Sequence, residues 1–502
     1  MRAFDPVSGN PGDNSHRHSQ GAWTVARVRA AEDALLARVP ADALMRRAAF
    51  GLATRTAAAL SERTGGVSGQ HVTLLVGAGN NGGDALWAGA YLRRRGVAVA
   101  AVLLSPDRVH PQGLAALRRA GGRIADHLPD RTHLVLDGIV GLSGRGGLRP
   151  AAARLVEAVR VPIIAVDSPS GVDPDTGTAD GPAVTATETV TFGARKPVHL
   201  LAPWRCGPVH LVDIGLFDEL GEPDLRVLSA AEIGARWPVP GPTSDKYSQG
   251  VVGIAAGSAD YPGAAVLCAG AAVLATSGMV RFAGTAADAV RGRWPEVVAT
   301  GSVSDAGQVQ AWAVGPGLGT GAAARQVLAH VLAAGVPVVA DADAITLLAG
   351  HPELADSRDP DTPLVLTPHD REFERLTGKL PGTDRVAAAR DAAGRLDAVL
   401  VLKGNTTIIA APDGRVLVNP ARSSWPATAG SGDVLTGVLG ALLAAGLEPA
   451  VAAAAAVHAH EFAAALAARG GTHSSAPVPA SAIQAALTDA IRALRSVAGM
   501  RG

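Results

Sequence analysis

Short apolar segments alternate with helical segments along most of the chain, and this alternation constrains the fold more than any other feature. In the first half, the apolar segments lie at residues 72–76, 97–104, 134–136, 163–166, 189–192 and 210–214. Helical patterns occupy residues 86–95, 113–120 and 151–159, between the earlier segments. Repeated strand–helix–strand order is typical of a mostly parallel sheet with helices on both faces. The first half is therefore predicted to be an α/β domain.

The alternation stops near residue 223 and resumes beyond a proline-rich link at residues 237–242. Further apolar segments follow at residues 251–256, 313–314, 336–340, 364–366, 399–402 and 416–418, interleaved with alanine-rich helices. A chain of 502 residues is too long for one ordinary core, so a second α/β domain is expected. We predict a disordered segment over residues 1–23, one domain over residues 24–223 and another over residues 224–502.

The charge is balanced, with 45 Lys and Arg residues against 45 Asp and Glu residues. Proteins that bind nucleic acid usually carry a basic excess or stripe, so no nucleic-acid partner is expected. Two cysteines, Cys206 and Cys268, are too few for a disulfide framework or a cysteine-rich metal site. The polar N-terminal segment lacks the apolar core of a secretory signal, and the uncharged stretch at residues 262–280 is typical of a buried helix. These features predict a cytoplasmic protein without a membrane partner.

A glycine-rich motif follows the first apolar strand directly. The strand at residues 74–76 runs into Gly-Ala-Gly-Asn-Asn-Gly-Gly-Asp at residues 77–84, and a helix is predicted to begin near Ala85. A glycine turn before a helix exposes backbone N–H groups that attract phosphate. The spacing differs from the dinucleotide motif G-x-G-x-x-G, because amides and a carboxylate fill the turn and offer oxygen ligands. The alternative is a loop that merely turns the chain.

Two more polar clusters lie where predicted strands end. One spans residues 137–147 and begins with Asp137, and the other spans residues 167–173 and begins with Asp167. Open α/β sheets bind ligands at the carboxyl ends of their strands. A single aspartate in this position can also just cap the next turn, but three clusters at one edge predict a shared site.

Together with the helical lead-in Ala43-Leu44-Met45, these motifs resemble the N-terminal domain of NAD(P)H-hydrate epimerases, the YjeF-N type, over about residues 24–220. The resemblance implies a Rossmann-like fold that interconverts the R and S hydrates of NADH and NADPH, called NADHX and NADPHX. It implies substrate contacts from Asn80, Asn81, Gly82, Gly83, Asp84, Gly141, Leu142, Ser143, Gly144, Arg145, Gly146, Gly147 and Asp167. It also implies a potassium ion held by Asn81, Asp137 and Ser170. Asp167 is expected to move the proton.

The C-terminal half carries a second pair of motifs. Residues 428–437 read Thr-Ala-Gly-Ser-Gly-Asp-Val-Leu-Thr-Gly, so glycines precede a helix and Asp433 lies where a base could deprotonate a hydroxyl. About thirty residues earlier, a strand ends in Lys-Gly-Asn-Thr-Thr at residues 403–407, with a cation and hydroxyls suited to nucleotide phosphates. An oriented nucleophile and charge stabilisation are what phosphoryl transfer needs.

This pair resembles the ribokinase-like superfamily, and further segments at residues 246–250, 256–258, 262–265, 315–319, 341–344 and 367–369 narrow the resemblance to NAD(P)H-hydrate dehydratases over about residues 225–495. The resemblance implies that the hydrate hydroxyl is phosphorylated from ADP, which becomes AMP, with magnesium present, and that phosphate then leaves. ATP in place of ADP stays open.

The resemblance also assigns roles in the second half. It implies that the nucleotide is bound by Lys403, Gly404, Asn405, Thr406, Thr407 and Gly432. It places Ala264, Gly317, His369 and Asp433 against the hydrate, with Asp433 as the base. His369 could alternatively be a structural histidine. The chain departs from the family at Asp370-Arg371-Glu372, where Pro-Gly-Glu is common, and this change adds charges beside the expected substrate.

The joint prediction is a bifunctional isomerase and lyase that repairs hydrated nicotinamide cofactors, since an epimerase on the same chain would supply the S form to the dehydratase. The expected partners are NADHX, NADPHX and ADP, in a homo-oligomer. One alternative is a small-molecule kinase fused to a ligand-binding domain. Another is an N-terminal binding module without turnover, although the four carboxylate and amide residues Asn81, Asp84, Asp137 and Asp167 are all present.

Overall fold

The computed structural model describes residues 20–141, 144, 146–276, 278–421, 423–470 and 474–499. The chain separates into two compact units, of which unit 1 ends at Arg226 and unit 2 begins at Val227. Of the segment 1–23 for which disorder was predicted, residues 1–19 lie outside the described chain. The next residues are ordered, because Trp23 is 1% exposed and its ring N–H donates to the carbonyl of Gly221 (3.1 Å).

Unit 1 is built on a parallel sheet. Its described strands are β1 (Gly21–Ala22), β2 (His71–Val76), β3 (Ala98–Leu103), β4 (Arg123–Ala125), β5 (Leu134–Gly138), β6 (Ile163–Val166), β7 (Glu188–Phe192), β8 (Val209–Val212) and β9 (Leu225–Arg226). Its described helices are α1 (Val25–Leu36), α2 (Ala43–Thr64), α3 (Asn80–Arg94), α4 (Pro111–Arg119), α5 (Pro150–Ala158), α6 (Val198–Leu201) and α7 (Pro203–Cys206). The sheet order is β4-β3-β2-β5-β6-β7-β8 with every pair parallel, while β1 and β9 form a short antiparallel ribbon.

Both faces of this sheet are covered. Along β2, Leu74 and Val76 belong to one hydrophobic cluster and Leu75 belongs to another. Successive side chains of a strand point to opposite faces, so the two clusters lie on the two sides of the sheet. A parallel sheet buried on both faces is the doubly covered α/β arrangement that the sequence predicted. The Rossmann-like prediction for the first half is confirmed.

Helix α3 begins at Asn80, five residues before the predicted start at Ala85, so that prediction was wrong. Gly79 is the extended N-cap residue, and Gly83 N donates to its carbonyl (3.2 Å). A Cβ on Gly82 would lie 2.4 Å from the carbonyl oxygen of Gly77. The glycines therefore let the first helical turn pack on the preceding loop, whereas glycine in a sequence usually indicates the loop itself.

Unit 2 is a second α/β structure. Its described strands are β10 (Val251–Ala255), β11 (Met279–Ala283), β12 (Val298–Thr300), β13 (Ala311–Val314), β14 (Val338–Ala340), β15 (Leu364–Leu366), β16 (Val399–Leu402), β17 (Thr406–Ala410) and β18 (Val416–Pro420). Its described helices are α8 (Ala230–Arg236), α9 (Pro262–Ala275), α10 (Ala287–Arg293), α11 (Ala322–Leu332), α12 (Asp343–Gly350), α13 (Asp370–Thr377), α14 (Arg385–Leu396), α15 (Ser431–Ala444), α16 (Pro449–Arg469), α17 (Ala480–Ala485) and α18 (Leu487–Gly499).

The strands of unit 2 follow the order β18-β17-β16-β15-β14-β13-β10-β11-β12, parallel from β16 to β12 and antiparallel where β17 and β18 are added. The sequence pattern does not indicate β11, β12 or β17. Strand β17 was missed because its first residues, Thr406 and Thr407, were assigned to a phosphate-binding turn. The prediction of an α/β fold for the second half is confirmed.

Helix α16 is long and apolar enough to span a bilayer by length and composition, but 72% of that window is buried inside unit 2. The uncharged stretch at residues 262–280 contains α9, which ends at Ala275 after 14 residues. About 20 residues are needed to cross the hydrocarbon core, so α9 is too short. Both helices fit the core of an α/β domain.

Candidate active sites

A cavity of about 880 Å³ in unit 1 opens beyond the carboxyl ends of β2, β3, β5 and β6. Its walls contain most of the residues predicted to contact substrate, namely Asn80, Asn81, Asp84, Gly141, Gly144, Gly146, Gly147 and Asp167. Gly82 and Gly83 do not line it. They lie buried in the first turn of α3, where a Cβ on Gly83 would come 3.0 Å from the His110 ring. Leu142, Ser143 and Arg145 lie outside the described residues.

The three residues predicted to hold potassium form one connected network. Ser170 Oγ donates to Asp137 Oδ1 (2.6 Å) and Ser170 N donates to Asp137 Oδ2 (2.9 Å). Val140 N donates to Ser170 Oγ (2.9 Å), and the Asn81 amide donates to the carbonyl oxygens of Val140 (3.4 Å) and Val166 (2.5 Å). Carboxylate, hydroxyl, amide and carbonyl oxygens thus meet at the edge of the sheet.

These residues fit a hard monovalent cation. Asp137 is completely buried, and burial raises its pKa while hydrogen bonds from Ser170 and Ile139 oppose the rise. A buried carboxylate is costly unless a positive charge lies nearby, and oxygen donors are what hard cations prefer. Among the described residues no cluster of three or more His, Cys, Asp and Glu side chains could hold a transition metal.

Asp167 lies at the end of β6 in a left-handed backbone conformation, with a φ of 69°. Its Oδ1 accepts hydrogen bonds from Thr191 Oγ1 (2.9 Å) and Phe192 N (3.3 Å), and forms a buried ion pair with Lys196. His199 Nδ1 accepts from Lys196 N (3.0 Å), so its Nε2–H donates to the Asp167 carbonyl (2.8 Å). These contacts fix the carboxylate rigidly at the cavity wall.

Lys196 is a site residue that sequence reasoning missed. Its ammonium group is 29 positions from Asp167 along the chain, and the pairing appears only when β6 and β7 lie side by side. The available signal was a pair of basic residues, Arg195 and Lys196, shortly after an apolar strand. Charge that close to a buried strand end requires a partner.

Two further carboxyls face the same cavity. Burial raises the pKa of Asp84 well above its ordinary value, and the charges of Asp167 and Glu32 raise it further. Burial also raises the pKa of Glu32, which α1 contributes to the wall. Asp84 Oδ1 has no hydrogen-bond partner among the described residues. The Asp167 carboxylate, paired with Lys196 behind it, therefore faces the cavity beside two carboxyls whose pKa values are raised by burial.

A cavity of about 680 Å³ in unit 2 brings together the two C-terminal motifs. Predicted site residues in its walls are His369, Lys403, Gly404, Asn405, Thr407, Gly432 and Asp433. Thr406 is buried in β17 and does not line the cavity. Ala264 and Gly317 are also absent from its walls and lie next to each other, since a Cβ on Gly317 would be 2.9 Å from the Cβ of Ala264.

Asp433 occupies the first turn of α15, after the N-cap residue Gly430, whose φ is 82°. Burial and the nearby charges of Asp341 and Asp343 raise the pKa of Asp433 to about 6, while Lys403 opposes the rise. A carboxylate with this pKa is ionised at neutral pH yet basic enough to accept a proton. The N–H groups of the same turn provide positive potential for an anion.

Lys403 is held by a carboxylate that the sequence did not single out. Its Nζ lies 2.8 Å from Asp341 Oδ1 and 3.8 Å from Glu372 Oε2, and Thr436 Oγ1 donates to Asp341 Oδ2 (2.8 Å). Burial alone would lower the pKa of Lys403, but Asp341 and Glu372 outweigh it and the pKa is raised. The ammonium group is therefore charged and fixed beside Asp433.

His369 caps helix α13. Its Nδ1 accepts hydrogen bonds from Arg371 N (3.1 Å) and Glu372 N (3.4 Å), and the Glu372 carboxylate accepts from His369 N (2.9 Å). This capping box leaves Nε2–H, 3.4 Å from Glu372 Oε1, on the cavity side of a half-exposed ring. His369 therefore has a structural role as a helix cap and also lines the cavity.

A buried polar cluster completes this cavity. Ser431 Oγ is 2.9 Å from His460 Nε2, and the Asn419 amide donates to Glu461 Oε2 (2.7 Å). Burial lowers the pKa of His460 to about 4, so the imidazole is neutral. The sequence did not indicate these residues, because α16, which supplies the histidine and the glutamate, has an alanine-rich pattern without a recognisable site motif.

Each α/β unit has a polar cavity beside a helix that begins after glycines, and each has a lysine–aspartate ion pair at that cavity. These features define a two-domain enzyme of the nucleotide-handling α/β class. Residues 41–198 match the family described as YjeF-related protein N-terminus, and residues 252–485 match the NAD(P)H-hydrate dehydratase family.

Curated relatives cover nearly the whole chain. The bifunctional NAD(P)H-hydrate repair enzyme Nnr of Mycobacterium tuberculosis (strain ATCC 25618 / H37Rv) is 57% identical over 435 residues, covering 86% of this chain and 91% of the relative. The enzyme of the same name from Mycobacterium leprae (strain TN) is 55% identical over 475 residues, covering 94% and 99%. The chain belongs to the family of bifunctional NAD(P)H-hydrate repair enzymes.

Among solved structures, the chain is similar to the ADP/ATP-dependent NAD(P)H-hydrate dehydratase from Bacillus subtilis, which was co-crystallized with ATP and Mg²⁺. The identity is 30%, the match covers 53% of this chain and 98% of that one, and the TM-score is 0.48. The prediction of a cofactor-repair enzyme is confirmed by the family.

Proposed function

We propose that unit 1 interconverts the R and S hydrates of NADH and NADPH and that unit 2 dehydrates the S hydrate with ADP, releasing AMP and phosphate. The observation that carries this division is that each unit contains its own cavity with its own acid–base groups. Every residue that lines the cavity of unit 1 lies before Arg226, and every one that lines the cavity of unit 2 lies after Val227.

In unit 1, Asp167 moves the proton of the hydrate hydroxyl. Lys196 faces Asp167 in a buried ion pair, and burial raises the pKa of Asp84. The hydroxyl takes a proton from Asp84 and leaves as water, while the electron pair of the ring nitrogen replaces the broken carbon–oxygen bond. Asp167 takes a proton from the water that adds back to the other face, and proton transfer between the two carboxyl groups restores the starting state. Asn81, Asp137 and Ser170 would hold the potassium ion, which would offset the buried charge of Asp137 when bound. Backbone N–H groups near Gly144, Gly146 and Gly147 suit the substrate phosphates.

In unit 2, Asp433 takes the proton from the hydrate hydroxyl as that oxygen attacks the terminal phosphorus of the nucleotide. Lys403 and the first N–H groups of α15 stabilise the charge that develops on the phosphoryl oxygens. The carbon–oxygen bond then breaks, phosphate leaves with the electron pair, and loss of a ring proton restores the dihydropyridine. Magnesium bound with the nucleotide would offset phosphate charge, beside the carboxylates of Asp341 and Asp433.

The roles of Gly404, Asn405, Thr407 and Gly432 in nucleotide binding are supported by their position in the cavity wall. Thr406 is proposed to act only through the backbone, because its side chain is buried in β17. Ala264 and Gly317 lie outside this cavity and are proposed to shape the far end of the hydrate site. The homo-oligomer and the cytoplasmic location stay predictions.

The test supplies the purified chain with pure R-NADHX, ADP, magnesium and potassium and follows the return of NADH absorbance. We expect complete recovery, faster than the spontaneous epimerisation of R-NADHX supplied to a pure dehydratase. Recovery no faster than with the pure dehydratase would remove the epimerase function from unit 1. Return of NADH without added ADP, or phosphorylation of a sugar without return of NADH, would contradict the dehydratase function of unit 2.

A further inference from the structure

The cavity of unit 1 has an arginine-rich side that the proposed chemistry does not use. Arg108 ends a short 3₁₀ turn after β3, and Arg149 immediately precedes α5, and both line the cavity. Both side chains are exposed, and among the described residues neither forms an ion pair with a carboxylate. Two unpaired guanidinium groups on the wall of one cavity are a receptor for an anion.

These arginines are separate from the reacting groups. Arg108 follows β3 and Arg149 precedes α5, whereas the carboxyls of Glu32 and Asp84 come from α1 and α3. The cavity therefore has an acidic end, where the hydrate ring reacts, and a basic side where the rest of the substrate extends. A dinucleotide is long enough to occupy both.

The position of Arg108 in the fold indicates which anion it meets. In dinucleotide-binding β-α-β units, the residues after the second strand face the adenosine ribose, with an acid there for a 2′-hydroxyl and an arginine for a 2′-phosphate. In unit 1, β2-α3-β3 has the same strand–helix–strand order, although its glycine turn differs from the dinucleotide motif. Strand β3 is followed by Ser105 and Arg108, which line the cavity, while Asp107 does not. A hydroxyl and a guanidinium thus occupy the place where a carboxylate would select the unphosphorylated ribose.

We propose that Ser105, Arg108 and Arg149 form a subsite for the 2′-phosphate of NADPHX, so that unit 1 prefers NADPHX to NADHX. The inference rests on the proposed epimerase function of unit 1. The two guanidinium groups pair with the phosphate dianion, and the Ser105 hydroxyl donates a third hydrogen bond. The pyrophosphate, which both substrates share, lies against Gly144, Gly146 and Gly147.

The experiment measures the KM and kcat of epimerisation for R-NADPHX and R-NADHX with the unchanged chain, R108A and R149A. We expect KM for NADPHX to rise about ten- to hundredfold in R108A and about tenfold in R149A, because a charge-assisted hydrogen bond is lost. KM for NADHX should change by less than about twofold, since it lacks the 2′-phosphate. The matched control is R154A, an exposed arginine of α5 that does not line the cavity.

A variant that changes the substrate preference tests the subsite without relying on a loss of activity. S105D places a carboxylate where the ribose hydroxyl of NADHX can donate to it and where the phosphate of NADPHX is repelled. We expect the ratio of kcat/KM for NADPHX over NADHX to fall at least about tenfold in S105D.

Two results would overturn the subsite. An equal rise of both KM values in R108A and R149A would place the pyrophosphate at these arginines, and unchanged values for both substrates would leave them outside the binding site. Failure of the proposed function is distinguishable from either, because the unchanged chain would then epimerise neither hydrate.

Discussion

The cavities of unit 1 and unit 2 share a common design. Each contains a lysine–aspartate ion pair, Lys196 with Asp167 and Lys403 with Asp341. Each also contains a second aspartate whose pKa is raised chiefly by burial, Asp84 in unit 1 and Asp433 in unit 2. The two units use the same parts although their sheets have different strand orders.

The difference lies in how far each second aspartate is removed from water. Asp84 is only 6% exposed and burial raises its pKa well above the ordinary value, whereas Asp433 is partly exposed in a helix turn and has a pKa of about 6. An isomerase that expels the hydroxyl as water and adds water back benefits from a neutral acid. A site that creates a nucleophile needs an ionised base, so burial sets which chemistry each aspartate performs.

Each unit also has one strained backbone position beside its lysine–aspartate pair. Asp167 in unit 1 and Ala342 in unit 2 have φ values of 69° and 52°, in the region that side chains other than glycine rarely adopt. Ala342 follows the aspartate that binds Lys403, and Asp167 is itself the partner of Lys196. Strain at these positions aims each carboxylate toward its lysine.

The largest expected effect separates the two activities. D433N should lower the dehydration rate by about 10²- to 10⁴-fold and leave epimerisation unchanged, whereas D167N should do the reverse, because each removes one general acid–base group. Chromatography of the epimers and NADH absorbance measure the two reactions on one preparation. The control is D391N, an exposed aspartate of α14 that lines neither described cavity. Full dehydration by D433N would contradict the comparison.

The two ion pairs should differ in stability. In unit 1 the Lys196 and Asp167 side chains are only 1% and 5% exposed, while Lys403 is 23% exposed. K196M should cost about 3–5 kcal/mol of unfolding free energy because it leaves a buried charge alone. K403M should cost less, about 1–2 kcal/mol, because the partly exposed Lys403 is screened by water and stabilises the buried Asp341 less.

Hydrogen exchange of the amides in β6 and β7, and in β14, reports these costs separately for each unit. K379M, which removes an exposed lysine, serves as the control. Equal losses in K196M and K403M would show that the exposure of the pair does not determine its contribution.

The pH dependence tests the tuning of Asp433. Because the base must be ionised, dehydration by the unchanged chain should fall to about half its plateau near pH 6 and further below it. D341N removes a like charge and should move this limb to lower pH, whereas K403Q removes an opposite charge and should move it to higher pH. If the acidic limb of the kcat profile moved in the same pH direction in both variants, the assignment of Asp433 as the base would be contradicted.

The smallest effect concerns strain. A342G should raise the unfolding free energy of unit 2 by about 1 kcal/mol, because glycine adopts the observed φ of 52° without cost and the relief exceeds the added freedom of the unfolded chain. A333G, at an ordinary φ of −79°, should instead lower it. Thermal unfolding of both variants provides the measurement, and a loss of stability in A342G would show that the site is unstrained.

The sequence predicted the sheets and the strand-end clusters because both depend on local patterns. Apolar strands of four to eight residues and glycine turns are visible in any window of the chain. The start of α3 was misplaced because glycine and asparagine favour loops locally, and only the packing of Gly82 on Gly77 makes the helix begin at Asn80.

The rest of each site depends on pairs distant in sequence. Lys403 and Asp341 are 62 positions apart, and Ser431 and His460 are 29 apart. No periodicity within one segment indicates that such side chains will meet, since their contact follows from the order of strands in the sheet. Thr406 was assigned to the nucleotide for the same reason, because the antiparallel hairpin that buries it forms with a strand ten residues later.

The short ribbon in unit 1, where Gly21 pairs with Arg226 and Ala22 with Leu225, brings the chain into and out of this unit at the same point. A module whose two ends lie side by side can be inserted into a loop of a host protein, or cut out of one, with little disturbance of either. Unit 1 therefore has the arrangement of chain ends that is found in domains inserted into a host protein.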